Sequence, residues 1–160
     1  MHEWNNFYVA AAGAAGALAG LIFVGISISL TKILSGPILP NRALTSVILL
    51  LAILLVTLLL LVPDLSPRLK GSLLIIFGLI TWIIITRLDI LSLHLTKKIY
   101  KRKYFANLLF NQLAILPYVL SGVLILFIGD TALYLIVVAI IFSFVKSVSE
   151  AWVLLVEINR

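Results

Sequence analysis

Cysteine is absent from the sequence, which excludes disulfides, thiolate metal sites and cysteine nucleophiles. Histidine is almost absent too, with only His2 and His94 present. His94 has no second histidine at ligand spacing and sits beside a basic stretch, so no metal site is expected. Charge is scarce: 11% of residues are charged, against about 25% in an ordinary soluble domain. No Ser, His and acid constellation, phosphate-binding glycine loop or paired in-membrane carboxylates can be assembled from the residues present. Catalytic residues, a cofactor and an enzymatic activity of the chain's own are therefore not expected.

What is abundant is apolar surface. Hydrophobic residues make up 63% of the 160-residue chain, mean hydropathy is +1.25, and the apolar residues come in long blocks with short polar interruptions. A soluble core of this size could not hide so much apolar surface, and blocks of this length are what a bilayer requires. The net charge of +6 raises the question of nucleic acid. The basic residues lie mainly in a loop between apolar blocks, however, where they face anionic headgroups and set topology. Membrane lipid, not nucleic acid, is the expected partner.

The blocks predict an all-α integral membrane protein, a bundle of about five transmembrane helices in one domain spanning residues 1–160. The spans are read at about 7–30, 43–62, 71–93, 105–128 and 132–157, each long enough for a hydrocarbon core of about 30 Å. Ser35-Gly36-Pro37, Pro63 and Gly129-Asp130 punctuate them. The first block lacks a basic n-region and outruns a signal-peptide core, so it is expected to stay in the mature protein. No internal repeat and no low-complexity linker is found. The loops after the first and third spans carry Lys32, Arg42, Lys97, Lys98, Lys101, Arg102 and Lys103, whereas the opposite side has only Arg68 and Lys70. By the positive-inside rule the N-terminus is outside and the C-terminus cytoplasmic.

Three features stand out within the spans. In the first, Ala12, Gly16 and Gly20 repeat every fourth residue, a small-residue face on which another helix can pack closely, in the same chain or in a second subunit. The second span is a run of Leu, Ile and Val with only Ala52 and Thr57 interposed from Val47 to Val62, and is expected to meet lipid over much of its circumference. In the fourth, Asn107, Asn111, Ala114, Tyr118 and Ser121 recur at helical spacing, with Pro117 in mid-helix, and this stripe is expected to point inward. In the fifth, Ser143, Lys146, Ser147, Glu150 and Glu157 share one broad face, and Lys146 with Glu150 forms an i,i+4 pair in the weaker order.

On a common depth scale Ser27, Ser29, Arg87, Asp89, Asn107, Asn111, Lys146 and Glu150 gather in the cytoplasmic half, while the outer half is almost wholly apolar. Two readings compete for the candidate set Arg87, Asp89, Asn107, Asn111, Lys146 and Glu150. One is a cytoplasm-facing polar vestibule or ion site, since ionisable groups inside a span usually pair or line water. The other is anchoring at helix ends, with long side chains snorkelling to the headgroups. Trp4, Tyr8, Tyr100, Tyr104 and Trp152 fall near span ends, where aromatic belts are expected.

Trp4-Asn5-Asn6-Phe7-Tyr8, followed by the run from Gly16 to Ser27, resembles the opening of a family of short uncharacterised prokaryotic multi-span membrane proteins. The stretch from Ala151 to Ile158 resembles that family's ending. Some members are labelled by similarity as modulators of the FtsH-type membrane protease. The resemblance implies a prokaryotic plasma (inner) membrane and brings no catalytic residues. The function expected from all this is association, as a homo-oligomer or as an accessory or regulatory partner of a membrane complex. The alternatives are a homo-oligomeric ion channel and a lipid- or amphiphile-binding protein.

Overall fold

The computed structural model describes residues 2–96 and 98–158. Six α-helices follow one another: α1 His2–Ile28, α2 Leu30–Ser35, α3 Leu39–Leu61, α4 Pro67–Leu95, α5 Lys101–Ile128 and α6 Leu133–Ile158. Short 3-10 turns, Lys98–Tyr100 and Gly129–Ala132, precede α5 and α6, and there is no strand among the described residues. All but the short α2 are long and apolar enough to cross a membrane. Lys97, one of the residues behind the topology argument, lies outside the described residues.

The helices extend past the apolar blocks at their polar ends. Pro40 and Pro67 sit in the first turns of α3 and α4, where a missing N–H costs no helical bond. The Ser66 hydroxyl accepts from the Leu69 N–H at 3.4 Å and caps α4. At the other extreme the first span is cut short. Ser29, with φ −104° and ψ 13°, separates α1 from α2, and the extended backbone of Gly36 then ends α2. Gly129 ends α5 at φ +68°, a conformation glycine adopts without a Cβ clash.

α3, α4, α5 and α6 form a ring in which each packs on the next and α6 returns to α3, while α1 leans mainly on the outside of α3. Half of the apolar stretch of α3 is buried, against 11% for α1. The second span is thus the hub, not the lipid-facing helix expected. Where the solvent is hydrocarbon, leucine suits either side, so an apolar run carries no facing signal. The signal lay in the small and hydroxyl residues Thr45, Ser46, Ala52 and Thr57, all buried. Thr57 satisfies its own hydroxyl on the Ile53 carbonyl at 2.7 Å.

The small-residue face of α1 is also displaced. Ala11 and Ala15 are buried, with Leu18, Ala19 and Ile22 packed beside them, whereas Gly16 and Gly20 are exposed and Ala12 is half-buried. A Cβ built at Gly13, Gly16 or Gly20 would meet nothing within 4 Å. The close backbone approach occurs between α4 and α5 instead. A Cβ on Gly71 would lie 2.8 Å from the Gly122 carbonyl oxygen, and one on Gly122 would lie 2.9 Å from that of Gly71. At Gly78 it would meet Val119 Cγ2 at 2.8 Å. Ala11 and Ala15 lie one residue, about 100° of helical rotation, from the 12–16–20 stripe. Two adjacent small-residue stripes compete on α1, and spacing alone does not choose between them.

At the end opposite the basic loop, Trp4 stacks on Tyr8 and meets the Tyr134 ring edge-on at 5.1 Å. Tyr8 is buried, so it is part of the α1 packing and not of an aromatic belt.

Candidate functional site

The start of α3, the end of α4, the start of α5 and the C-terminal half of α6 converge at one end of the ring, and the polar residues of the spans meet there. Glu150 is the centre, 2% exposed. One of its carboxylate oxygens, Oε2, takes Nη1 of Arg42 at 3.3 Å, and the other, Oε1, takes the Lys146 ammonium from the preceding turn of α6. Lys146 also donates to Oδ1 of Asn107 on α5. Arg42 is buried as well. Its Nε lies 3.9 Å from Oε2 of Glu157, and its guanidinium sits 5.2 Å from the centroid of the Tyr104 ring, within cation–π range. Arg42 thus ties α3 to α5 and to two turns of α6.

Beside this triad, Asn111 Nδ2 donates to both oxygens of Asp89, at 2.9 and 2.8 Å, joining α5 to α4. Asn111 is fully buried, and its Oδ1 has no hydrogen-bond partner among the described residues. Asn41 donates to Ser92 at 3.1 Å, closing α3 onto α4. Deeper in the bundle come hydroxyls. Ser46 donates to the Ser147 carbonyl at 2.9 Å while Ser147 donates to the Ser46 carbonyl at 2.8 Å, a reciprocal bond between α3 and α6. Tyr118 donates to Ser143 at 3.2 Å, and Ser143 to the Ala114 carbonyl at 3.3 Å. Beyond this tier the core is mostly apolar, with Leu50, Ile53, Leu74, Ile125 and Ile136 all buried and Thr57 and Ser121 the buried hydroxyls among them.

Of the candidate set, Asp89, Asn107, Asn111, Lys146 and Glu150 are brought together. Arg87 is not: it is exposed and enters none of these bonds. It stands two residues before Asp89, about 200° around the same helix, so the two cannot share a face. Ser27 is exposed and Ser29 half-buried, and neither reaches the cluster. The stripe on α5 does point inward, with Asn111, Ala114, Tyr118 and Ser121 all at 1% exposure or less. Arg42 is the cation that sequence reasoning assigned to a loop. Pro40, a residue that belongs in a first helical turn, was the sign that α3 begins early enough to contain it. Tyr104, taken for a belt residue, is half-buried against that guanidinium.

Chemically the cluster is a set of opposed charges and amides bonded to one another across four helices, with Arg42 Nε and Asn111 Oδ1 left without a hydrogen-bond partner among the described residues. No family model, no curated protein and no solved structure matches the chain.

Proposed function

We propose that the chain is a multi-pass membrane protein that works by association, using the ionically tied ring of α3 to α6 as a rigid platform and the outer face of α1 as its docking surface. The observation that carries this reading is the split on α1. Ala11 and Ala15 are consumed by packing within the chain, while Gly13, Gly16 and Gly20 have nothing within 4 Å of where a side chain would begin. A glycine edge left facing lipid offers close backbone approach to a further membrane helix, from a second copy or from a larger complex. The basic loop and the C-terminus are placed in the cytoplasm and the N-terminus outside, on the charge bias of the loops. The likeness of both chain ends to short prokaryotic membrane proteins supports a prokaryotic plasma membrane.

The ion-channel alternative is less well supported. The charged atoms that would line a path are bonded to each other, and beyond the hydroxyl tier the core is filled mostly by apolar side chains. The test uses the absence of native cysteine. Single cysteines at Gly16, Gly20 and Leu55 are oxidised in native membranes. Cross-linked species are expected from the two α1 positions and not from Leu55, which is 46% exposed on α3. No cross-link from either α1 position, to itself or to another protein, overturns the reading.

A further inference from the structure

Between α5 and α6, on the outside of the ring, lies a groove of about 260 Å³ lined by Phe110, Phe142, Val145, Lys146 and Ser149. Its floor is apolar and open, Phe110, Phe142 and Val145 being 57%, 44% and 62% exposed. Its one cation is Lys146, whose ammonium spends two of three N–H donors on Asn107 and Glu150. The third has no partner among the described residues. Helical register extends the groove toward the basic loop. Lys103 stands seven residues before Phe110, two turns along the same face of α5 and about 10 Å away, and it is exposed. Trp152 stands seven residues after Val145 on α6 and is 69% exposed, where an interfacial aromatic belongs. The first turn of α5 holds no acidic residue, and Lys98, Lys101, Arg102 and Lys103 are all exposed around it.

We propose that this groove holds one anionic phospholipid from the leaflet on the side of the basic loop. An acyl chain runs along Phe110, Phe142 and Val145, and the phosphate lies between Lys103 and the free donor of Lys146. Charge complementarity selects the occupant: an apolar floor alone would take any lipid, whereas Lys103, with no acid in its turn of α5, makes the headgroup end basic and Lys146, its charge shared with Glu150, adds a free N–H donor, which together favour a negative one. The site is independent of the α1 interface and shares with it only the location in a membrane.

The full-length protein is solubilised, delipidated in detergent and titrated with phosphatidylglycerol or phosphatidylcholine, and bound lipid is counted by native mass spectrometry. One phosphatidylglycerol per chain is expected, with a preference over phosphatidylcholine of about tenfold or more. Val145→Trp, which fills the groove at an exposed position, and Lys103→Gln are each expected to remove that preference without lowering the melting temperature. Lys101→Gln serves as the charge-matched control. It lies nine residues before Phe110, on the opposite face of α5, and is expected to retain the lipid. Equal retention of the two lipids overturns the proposal, as does retention by Val145→Trp or an equal loss in Lys101→Gln and Lys103→Gln.

Discussion

Glu150 is the most deeply buried charged side chain among the described residues, and each of its oxygens is committed to a different cation. Replacing one member of such a buried set strands the others. Glu150→Gln is therefore expected to cost roughly 3–5 kcal/mol, measured as loss of helicity on titration with denaturing detergent. Because two cations share the carboxylate, Lys146→Met added to Glu150→Gln restores only part of that loss; full recovery would mean that Arg42 is not a partner. Arg87→Gln, at an exposed position, is expected to cost about 0.5 kcal/mol or less. Much of this cluster was legible in the sequence, since Asn111, Lys146 and Glu150 recur at helical spacing on faces that also carry serine. Arg42 was not, because hydropathy ends a span where its apolar run ends, while the helix itself runs a further turn into polar residues. Arg87 shares the depth of the cluster but not its helix face, and depth along the bilayer carries no information about rotation around the helix.

At the level of helices, the tightest contact is the glycine crossing of α4 and α5. With backbone oxygens 2.8 and 2.9 Å from where a Cβ would stand, the neighbouring helix itself must move to admit a side chain. Gly71→Ala and Gly122→Ala are each expected to destabilise the protein by about 1–3 kcal/mol. Gly16→Leu should leave the melting temperature of the isolated chain unchanged, its site being open, while abolishing cross-linking through α1. A melting temperature that falls for Gly16→Leu and not for Gly71→Ala would mean that the roles of the two glycine sets are reversed. The number and placement of the long helices were legible from length and hydropathy, because a bilayer demands both. Which side of each helix turns inward was legible only where polar or small residues mark it. That is why the α5 stripe was read correctly and the leucine-rich α3, whose marks are only Thr45, Ser46, Ala52 and Thr57, was not.

For the molecule as a whole, the ring predicts that the turn before α4 and the turn after it lie on opposite sides of the membrane. Ser66 and Ile99 are both exposed, which makes them better reporters than Thr96, buried and bonded to the Ser92 carbonyl. In intact cells an impermeant thiol reagent is expected to label Ser66→Cys, and to reach Ile99→Cys only after permeabilisation; same-side labelling would remove α4 as a span. The reciprocal bond between Ser46 and Ser147 has a further consequence for assembly. Ser143 lies one turn before Ser147, so a slide of α6 by about 5.4 Å would offer Ser46 an equivalent hydroxyl, and the serines alone tolerate two axial settings. The charges do not. The same slide would bring Lys146 opposite Arg42, and a slide the other way would leave Arg42 facing Leu154. Without both Glu150 and Lys146 neither the tie nor the clash remains, and the helices are expected to pack in more than one alignment. In a Lys146→Met, Glu150→Gln background, which removes both the native tie and the clash, a disulfide between cysteines at positions 46 and 143 is expected to appear alongside the native pairing of 46 with 147.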